Sequence, residues 1–466
     1  MRILLTVHQF VPDFHAGTEI LTFSTAKALQ ARGHDVRVFT GYPARAQAAG
    51  PRIDRYIHDG VKVERFYHTP PRSGQEHTVE HAVEHAVDEA NAFALEYNNP
   101  VFTAHFREYL EAYRPDVVHF FHLQRLSASA IDVCRELGLP TVLTPTDFWL
   151  ICPTNQLLLP DHTMCPGPDP DAVNCVRHFA ALTRPAPVQA LLGMLPDRLV
   201  AALIRATDLS PLRRWRTAAS IRALRARRAF IGRRMNGVDR VTIPTRLMAE
   251  VLGSNGLNAS KMTPLPFGIN SEGVSRSPCE IPSHGLRVGF IGTLYEHKGV
   301  HLLVKAVRQL PADVPLEVRI YGSTEDYPDY CATLRELADG DPRIEFRGTF
   351  PNGRIGEILS ALDVLVVPSI WYENTPLVIY SAQACGCPVI ASNLGGLSEA
   401  VEHDVNGLLF EAGDVGQLAQ AIGRLARDKP LLRRLAQAAK PPKPIAVYAG
   451  ELENLYGEIL AARRGA

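Results

Sequence analysis

Short apolar runs separated by amphipathic stretches recur along the chain and predict alternating strands and helices. Residues 2–7, RILLTV, form the first apolar run, and residues 20–28 place apolar and small side chains on one helical stripe. Gly33 ends this predicted helix, and residues 36–39 alternate as a second strand. The order strand, helix, strand predicts two parallel strands joined by a crossover helix.

The same order appears again further along the N-terminal half. DVVHFF at 116–121 and PTVLTPTD at 140–147 are predicted strands, and the stretch SASAIDVCRELG between them has helical spacing. Strands that alternate with helices in this way form a parallel sheet covered by helices on both faces. The N-terminal half is therefore predicted to be a doubly wound α/β domain.

A second series of strands begins at Leu286. Five predicted strands follow one another, each with a helical or loop segment after it: LRVGFIG, LEVRIYG, IEFRGTF, DVLVVPS and PVIASN. Residues 268–285 between the two series are rich in Gly, Ser and Pro, which is typical of a linker. The sequence thus predicts two doubly wound domains, in which ligands bind beyond the carboxyl ends of the strands.

A chain of 466 residues is also too long for one hydrophobic core, which supports a division into domains. The predicted bounds are 1–267 for an N-terminal domain, about 186–234 for a helical, basic insertion in it, 268–285 for the linker, 286–440 for a C-terminal domain and 445–466 for a final helix.

The overall composition excludes several classes of protein. Hydrophobic residues make up 46% of the chain and 49 basic side chains balance 49 acidic ones, so nucleic acid is not an expected partner. The first apolar run is short and lacks a small-residue cleavage site, which favours a buried strand over a signal peptide. No run reaches the roughly 20 apolar residues of a membrane-spanning helix. Eight cysteines in so long a chain do not form a disulfide framework, and we expect a cytoplasmic protein.

Six motifs occur together in an order that resembles one family. They are FHAGTE, PDVVHFFHLQRLS, DFWLICP, GTLYEHKG, WYENTPL and GGLSEAVEHDVNGLLF. Jointly they resemble the retaining glycosyltransferases of family 4, or group 1, and the resemblance covers nearly the whole chain. It implies the GT-B architecture, an α/β fold of two facing Rossmann-like domains with an interdomain cleft, and a final helix that crosses back to the N-terminal domain.

The resemblance also implies a site. The C-terminal domain is expected to hold a nucleotide-diphosphate sugar as co-substrate, the N-terminal domain to hold the acceptor, and no metal or other cofactor to be required for transfer. His122 matches a histidine that lies against the donor sugar, and Glu373 matches the first acid of a pair that contacts this sugar, so both are assigned as catalytic. The implied donor-binding residues are Gly17, Thr293, Lys298, Asn374, Thr375, Pro376, Leu377 and Ser381.

Elementary chemistry supports part of this assignment. A departing nucleotide diphosphate develops negative charge, which cations and backbone N–H groups at helix N-termini stabilise. Lys298 follows a predicted strand and is placed to supply such a cation, and Gly17 lets the loop backbone approach a phosphate. Pro376 suits the first turn of a helix. Two simpler interpretations stay open, namely a solvated Lys298 and a hydrogen-bonded, structural His122.

The chain departs from the family pattern at four positions. Ala16 replaces the first of two usual glycines, and Thr146 stands where relatives often have histidine. Thr293 stands where relatives usually have an arginine, so one positive charge is missing unless His297 or an arginine from elsewhere replaces it. The fourth departure is Ser381, which takes the place of the second acid of the pair.

Ser381 is the departure with the clearest expected consequence. In the family the acid at this position accepts hydrogen bonds from the ribose diol. If the segment is helical, Ser381 lies about 12 Å along the axis from Glu373. A serine is short and neutral and accepts weakly or through a water, so donor binding is expected to be weaker by about 1–3 kcal/mol.

Two features beside the predicted site have open interpretations. The first is a loop-rich stretch with three cysteines and a histidine: Cys152, Cys165, Cys175 and His178. The spacing of the last two suits a structural zinc site. Unrelated reduced thiols are the favoured alternative, because the first two cysteines are widely spread.

The second feature is the insertion at about 186–234. An apolar helical tract, VQALLGMLPDRLVAALI, leads to nine arginines: Arg213, Arg214, Arg216, Arg222, Arg225, Arg227, Arg228, Arg233 and Arg234. A cationic surface beside exposed apolar side chains suits an anionic membrane and a lipid-linked acceptor. A helical subdomain with an apolar core, whose arginines are solvated or bind acceptor phosphate, is an equal alternative.

Together these inferences predict a retaining, hexosyltransferase-type glycosyltransferase that moves a sugar from a nucleotide-diphosphate donor to a hydroxyl of a glycan or lipid-linked acceptor in cell-surface polysaccharide biosynthesis. We expect it in the cytoplasm, at the inner face of the membrane if the basic insertion binds anionic lipid. Two alternatives remain: a catalytically silent partner that binds nucleotide sugar or glycan, which the four departures favour, and a sugar-nucleotide epimerase on the same fold.

Overall fold

The computed structural model describes residues 1–42, 53–67, 92–209, 211, 215–270 and 285–465. These residues form two compact units. The N-terminal unit contains Met1–Ile243, Met248–Leu265 and Tyr448–Ala466, and the C-terminal unit contains Pro244–Leu247 and Pro266–Val447. Within the predicted linker, residues 271–284 lie outside the described residues.

The N-terminal unit is built on one sheet. Its strands are β1 (Arg2–Val7), β2 (Asp35–Tyr42), β3 (Ile53–His58), β4 (Val61–Tyr67), β5 (Val117–Phe120), β6 (Thr141–Leu143), β7 (Arg240–Ile243) and β8 (Met262–Pro264). Their order across the sheet is β3-β4-β2-β1-β5-β6-β7-β8. Neighbouring strands are parallel except β3, which pairs with β4 in the antiparallel sense at one edge.

Helices connect these strands. They are α1 (Gly17–Ala31), α2 (Ala92–Leu95), α3 (Pro100–Tyr113), α4 (Ala130–Glu136), α5 (Val173–Thr183), α6 (Ala186–Met194), α7 (Asp197–Ala206), α8 (Arg216–Met235) and α9 (Arg246–Ser254). In α1 the predicted stripe of Ile20, Leu21, Ser24 and Ala28 is wrong except at Leu21, since the other three are only half-buried. The face that packs inward contains Leu21, Thr22, Thr25, Ala26 and Leu29. The chain then turns at Gly33, whose φ of +87° lies in the left-handed region that glycine adopts without strain.

The central strands of this sheet are covered on both faces. Every residue of β1 from Ile3 to Val7 is buried, and β5 is buried throughout. This explains why both strands appear in the sequence as continuous apolar runs. The two strands are parallel neighbours with Thr6 opposite Phe120. Their carboxyl ends therefore deliver the residues that follow, His8 and His122, to the same edge of the sheet.

The C-terminal unit contains a second sheet. Its strands are β9 (Leu286–Ile291), β10 (Leu316–Tyr321), β11 (Ile344–Gly348), β12 (Val364–Val367), β13 (Val389–Ser392) and β14 (Gly407–Phe410). They are all parallel and follow the order β11-β10-β9-β12-β13-β14. Chain connections run outward in both directions from β9 and β12, so the position between these two strands is a topological switch point of the kind where α/β sheets bind ligands.

Helices cover both faces of the second sheet. They are α10 (Val300–Gln309), α11 (Pro328–Ala338), α12 (Ile355–Ser360), α13 (Leu377–Ala384), α14 (Gly396–Ala400), α15 (Val415–Arg427) and α16 (Lys429–Ala438). The central strand β12 shows the two layers directly. Val364 and Val366 pack into a cluster with α10, α11 and α15, whereas Leu365 and Val367 pack into a separate cluster with α13.

The last helix, α17 (Ile445–Arg464), belongs to the N-terminal unit from Tyr448 onward. The Tyr456 hydroxyl lies 2.5 Å from Nδ1 of His119, and Nε2 of the same ring lies 2.6 Å from the Thr144 hydroxyl. His119 is fully buried, and burial lowers its pKa to about 3. His119 is thus a neutral, hydrogen-bonded structural histidine that fastens α17 to β5.

Candidate functional site

His122 lies two residues beyond the end of β5, at the edge where the parallel strands of the N-terminal unit end. Its side chain is 3% exposed, and both ring nitrogens are engaged within the unit. Nδ1 accepts a hydrogen bond from the backbone N–H of Gln124 at 3.1 Å, so Nε2 carries the proton and donates to Oδ2 of Asp147 at 2.9 Å. The contact of His122 with a donor sugar stays a prediction.

Asp147 follows β6 and is the more accessible member of this pair. Its side chain is 20% exposed. Oδ1 accepts from the backbone N–H of Trp149 at 2.9 Å, and Oδ2 accepts from His122. Sequence reasoning gave Asp147 no role, although its place just after a strand of a parallel sheet was a signal that pointed to this edge.

The His8 ring packs against His122, and the buried Glu19 lies next to His8. The centroid of the His8 ring is 4.2 Å from that of His122, and His8 Nε2 lies 3.4 Å from Oε1 of Glu19, which is 0% exposed. Burial is the main cause that lowers the pKa of His8, and burial raises the pKa of Glu19. Both shifts favour the uncharged forms, so the environment disfavours an ion pair between His8 and Glu19.

The predicted donor-binding residue Gly17 is the first residue of α1. A Cβ added there would meet no heavy atom within 4 Å, so the backbone is open on this side. Ala16 precedes the helix and provides no side-chain cap for its first N–H groups. Thr146, the other departure in this unit, hydrogen-bonds to the Phe121 carbonyl at 3.4 Å. These contacts leave the donor role of Gly17 a prediction.

In the C-terminal unit, Lys298 and Glu373 are brought together at the ends of β9 and β12. The Lys298 ammonium lies 2.7 Å from Oε1 of Glu373 and 4.9 Å from the centre of the Trp371 ring. The same carboxylate oxygen accepts from the Ser369 hydroxyl at 2.8 Å and from Trp371 Nε1 at 2.9 Å. Glu373 is 7% exposed. A nearly buried carboxylate is therefore held by a cation and two neutral donors.

The loop that carries Lys298 must pass very close to β12. Gly299 has a φ of +72°, and a Cβ there would lie 1.8 Å from the Pro368 carbonyl oxygen. Only glycine fits this position, which places Lys298 directly before α10. Gly299 is the last residue of the motif GTLYEHKG. The close approach of the Pro368 carbonyl explains why a glycine follows Lys298 in this motif.

His297 does not supply the positive charge missing at Thr293. Burial, with the charge of Lys298 adding to it, lowers the pKa of His297 well below its ordinary value. The imidazole packs 4.9 Å from the Trp371 ring and is neutral at pH 7. The sequence hypothesis that His297 replaces an arginine is therefore wrong. Thr293 itself is exposed.

The segment after Glu373 differs from the predicted helix. Helix α13 begins at Leu377, with Pro376 as the residue before it, so residues 371–376 are not helical. The predicted distance of about 12 Å between Glu373 and Ser381 along one helix axis is consequently wrong. The segment is held instead by close contact with Gly396, whose N–H donates to the Glu373 carbonyl at 3.1 Å.

Of the remaining predicted donor-binding residues, Asn374 and Thr375 lie in this segment and Ser381 lies in the helix that follows it. Asn374 is buried and its Oδ1 accepts from the Thr245 hydroxyl at 3.0 Å, while Thr375 is partly buried. Ser381 is 9% exposed, and its hydroxyl donates to the Leu377 carbonyl at 3.1 Å. The proton of the Ser381 hydroxyl is thus committed within α13, which leaves only its lone pairs for a ligand.

The zinc interpretation for Cys152, Cys165, Cys175 and His178 is not supported. Among the residues that the structure describes, no three His, Cys, Asp or Glu side chains are placed to hold a metal ion. Burial, with Cys152 and Cys165 adding to it, raises the pKa of Cys175 to about 12. Metal ligation needs the thiolate, whereas this environment favours the protonated thiol.

The arginines of the insertion are mostly paired in the described part of the chain. On α8, Arg225 pairs with Asp208 at 2.8 Å and Arg234 pairs with Asp132 at 2.5 Å. Arg222 donates to the Thr207 carbonyl. Arg213, Arg214 and the side chain of Arg216 lie outside the described residues. The helix α8 is therefore not the continuous free cationic surface that its sequence indicates.

Arg227 is buried, and its guanidinium hydrogen-bonds to backbone carbonyls. It donates to the carbonyls of Trp149 and Ile151 and stacks 5.0 Å from the Trp149 ring centre. Burial lowers its pKa to about 10, which still leaves it charged at pH 7. Arg227 thus fixes the loop that carries Asp147, a role that sequence reasoning missed because one arginine among nine gave no sign of burial.

Helix α6 contrasts with these buried groups, since none of its residues is buried. Its apolar side chains Val188, Leu191 and Met194 are 40%, 59% and 83% exposed. Within the described part of the chain, no helix alone is long and apolar enough to cross a membrane. Helices α6 and α7 meet that test only as a pair, with a bend of 113° between them.

Comparison with protein families gave two matches that together span most of the chain. The model described as glycosyl transferase 4-like domain matches residues 16–268, and the model described as glycosyl transferases group 1 matches residues 285–428. One relative is the D-inositol 3-phosphate glycosyltransferase of Corynebacterium urealyticum, 33% identical over 184 residues. The match covers 38% of this chain and 43% of that protein, less than half the length of either.

Two solved structures resemble the chain over almost its full length. The match with sucrose-phosphate synthase from Thermosynechococcus elongatus has a TM-score of 0.66 at 19% sequence identity, and it covers 99% of each chain. The match with HepE of Anabaena, described in complex with UDP-glucose, has a TM-score of 0.61 at 17% sequence identity. It covers 98% of this chain and 100% of the HepE chain. At these identities the likeness shows a shared fold, and the two Rossmann-like units have the GT-B architecture predicted from the sequence.

Proposed function

Because the chain belongs to the glycosyl transferase group 1 family, we propose that it is a retaining hexosyltransferase. It moves a hexose from a nucleotide-diphosphate donor to a hydroxyl of a glycan or lipid-linked acceptor in cell-surface polysaccharide biosynthesis. The observation that carries the proposal is the contact of 2.7 Å between Lys298 and Glu373 at the carboxyl ends of β9 and β12. A cation and a carboxylate at a topological switch point suit a ligand with both phosphates and sugar hydroxyls.

The proposed reaction needs little covalent chemistry from the protein. The acceptor oxygen forms a bond to the anomeric carbon as the bond from this carbon to the phosphate oxygen breaks. The acceptor proton passes to the departing diphosphate, and attack and departure occur on the same face of the sugar. Lys298 stabilises the negative charge that develops on the diphosphate, and the Glu373 carboxylate accepts hydrogen bonds from the hexose.

A thermal-shift screen tests the donor part of this proposal. UDP-, GDP- and TDP-hexoses are compared, since a ligand that binds only the folded state raises the melting temperature. We expect one nucleotide class to stabilise the protein and both Lys298→Ala and Glu373→Ala to lose the effect. Stabilisation without turnover would favour the silent partner, and turnover of the donor to an epimeric sugar nucleotide without acceptor would favour the epimerase.

The acceptor part is tested separately. The name of the Corynebacterium relative supports D-inositol 3-phosphate as one probe, beside a panel of methyl hexosides. Release of nucleotide diphosphate that depends on one of these acceptors identifies the class. Release without any added acceptor would report transfer of the hexose to water, whereas release that requires an added lipid-linked glycan would identify a lipid-linked acceptor.

We also propose that the protein docks on an anionic membrane through α6 and α7. The support is the exposure of Leu191, Met194 and Leu203, at 59%, 83% and 52%, beside the exposed Arg198. Apolar side chains next to a cation suit the boundary between lipid headgroups and acyl chains. Such docking would place the enzyme at the inner face of the membrane, near a lipid-linked acceptor.

Co-sedimentation with vesicles tests this docking. We expect binding to phosphatidylcholine vesicles that contain phosphatidylglycerol, and a loss of binding in the double variant Leu191→Ser/Met194→Ser. Ile57→Ser is the control, because Ile57 is 68% exposed on β3, away from this insertion in the chain. Binding that both variants retain equally, or a dimer in solution that the double variant dissociates, would contradict the proposal.

A further inference from the structure

We infer that Thr245 is a positioning residue for donor binding, because it fixes the side-chain amide of Asn374. This inference rests on the proposed function and on the donor-binding role that the family resemblance implies for Asn374. Thr245 stands 129 residues before Asn374 in the chain and lies in none of the six motifs that carry the resemblance. Donor binding is therefore expected to depend on a residue that no motif contains.

The place of Thr245 in the fold carries the first step. Pro244–Leu247 follows β7 along the chain but belongs to the C-terminal unit. Thr245 directly precedes α9. A threonine hydroxyl both accepts and donates, so at the start of a helix it can accept from helix N–H groups and still give its proton to another acceptor. The proton of the Thr245 hydroxyl goes to Oδ1 of Asn374 at 3.0 Å.

Burial of this hydrogen bond carries the second step. Thr245 is 7% exposed and Asn374 is 5% exposed. A buried amide oxygen without a donor is unfavourable, so the bond favours the orientation in which Oδ1 faces Thr245. Nδ2 of the same amide then points away from Thr245. Thr245 thus selects which end of the Asn374 amide is turned towards it and which end is turned away.

The backbone of the donor-binding segment is fixed separately, by the start of α14. The Gly396 N–H donates to the Glu373 carbonyl at 3.1 Å. A Cβ at Gly396 would lie 1.7 Å from the Asn374 carbonyl oxygen, so only glycine allows this approach. Because the backbone is held by Gly396, the freedom that Asn374 retains is mainly in its side chain. The hydrogen bond from Thr245 removes that freedom.

Glu399 of α14 fixes the position of Thr245 in turn. One carboxylate oxygen accepts from the backbone N–H of Arg246 and the other from that of Leu247, each at 2.8 Å. Two bonds from one carboxylate to successive N–H groups hold the first turn of α9 in one orientation. Glu399 and Gly396 belong to the same motif, GGLSEAVEHDVNGLLF. This motif therefore supports both the donor-binding segment and the residue that orients its amide.

A double-mutant cycle on Thr245 and Asn374 tests the inference. Thr245→Val keeps the shape of the side chain and removes the hydroxyl. We expect it to weaken binding of the nucleotide hexose roughly three- to tenfold, the range for one hydrogen bond. Thr245→Ser keeps the hydroxyl and is expected to stay within about twofold of the wild type. In an Asn374→Ala background, Thr245→Val is expected to cause no further loss, because it acts through Asn374.

Isothermal titration measures these affinities, with whichever of the UDP-, GDP- and TDP-hexoses stabilises the wild type in the thermal-shift screen. Thr207→Val is the matched control. Thr207 is also 7% exposed, and its hydroxyl bonds to the Ile204 carbonyl at the end of α7. We expect this control to bind the donor as the wild type does. Melting temperatures without ligand report the folding of every variant.

Three results would overturn the inference while leaving the proposed function intact. One is wild-type donor affinity in Thr245→Val or in Asn374→Ala. Another is a Thr245→Ser variant as impaired as Thr245→Val, which would mean that the hydroxyl is not the group that matters. The third is a Thr245→Val loss of the same size in the Asn374→Ala background, which would mean that Thr245 does not act through Asn374. By contrast, a wild-type protein that no nucleotide hexose stabilises would overturn the proposed function, and this inference with it.

Discussion

The Lys298 ammonium and the Glu373 carboxylate are partners before any ligand arrives, with 2.7 Å between Nζ and Oε1. Ser369 and Trp371 donate to the same oxygen, so Glu373 has two neutral donors besides the cation. In the proposed function a nucleotide diphosphate would become the anionic partner of Lys298, and the two neutral donors would still stabilise the Glu373 carboxylate.

Lys298→Met is expected to weaken binding of the free nucleotide diphosphate by roughly 10- to 100-fold, since a charge-assisted contact to phosphate is lost. Isothermal titration with the nucleotide that stabilises the wild type measures the change. Lys305→Met is the matched control, because Lys305 is exposed on α10, the helix that follows Lys298. Equal affinities in the two variants would show that Lys298 does not bind phosphate.

Arg227→Met is expected to lower the free energy of unfolding by about 2–4 kcal/mol. The variant keeps most of the buried side-chain volume but leaves the carbonyls of Trp149 and Ile151 without their donor. Urea unfolding measures the loss, and Arg228→Met is the control because the next arginine is exposed. A change of less than 0.5 kcal/mol in both variants, the usual range for a surface site, would show that the buried guanidinium has no structural role.

Much of the fold could be predicted because its central strands appear in the sequence as short, mainly apolar runs. The runs at β1, β5 and β12 are buried on both faces, so their pattern does not depend on the partner strand. Two of the strands that were not predicted, β3 and β8, are of another kind. In β3 exposed and half-buried residues alternate at the sheet edge, and β8 has only three residues. Such strands are defined by pairing, which a single sequence does not display.

The sequence predicted those residues of the candidate site that follow predicted strands, but not those whose roles depend on tertiary contacts. Lys298 and Glu373 were assigned through the resemblance to the family, supported by their place after apolar strands, and the structure brings them into contact. Asp147 and Trp371 were missed because their roles depend on hydrogen bonds to particular atoms, which the spacing of residues in the sequence does not show. His297 was misjudged for a related reason, since its burial against Trp371 is a tertiary fact that no spacing reveals.

Stability is expected to fall as the pH is lowered from about 6.5 towards 3, because His119 is buried and neutral. Its pKa is about 3 in the folded protein and near 6.5 in the unfolded chain. Between these values the unfolded chain binds a proton that the folded protein does not, so acid favours unfolding. The contribution is fully present above pH 6.5 and falls by up to about 1.4 kcal/mol per pH unit below it.

Urea unfolding at pH 7.5, 6.5, 5.5 and 5.0 measures this dependence. His119→Gln removes the titrating group while keeping hydrogen-bonding atoms towards Tyr456 and Thr144, so its stability should fall less steeply below pH 6.5. His15→Gln is the control, because His15 is exposed. If the wild type and His119→Gln had parallel profiles, His119 would not be the group responsible.

Ser381 gives the sharpest test of how the chain differs from its relatives. Its hydroxyl donates to the Leu377 carbonyl within α13, so Ser381→Ala is expected to change nucleotide affinity by less than about threefold. Ser398→Ala is the matched control, since that hydroxyl makes a similar bond to the Gly395 carbonyl in the same unit. A loss of about tenfold in Ser381→Ala alone would mean that the hydroxyl binds the nucleotide directly.

The substitution Ser381→Glu supplies the acid that the resemblance expects at this position. Ser381→Glu places a carboxylate where the resemblance expects a partner for the ribose diol, and a charged acceptor is worth about 1–3 kcal/mol more than a serine. We expect tighter binding of the nucleoside diphosphate by roughly 10- to 100-fold, measured by calorimetry beside the melting temperature of the ligand-free variant. Position 381 is only 9% exposed, so a folded variant whose affinity does not rise would show that α13 turns this position away from the ribose.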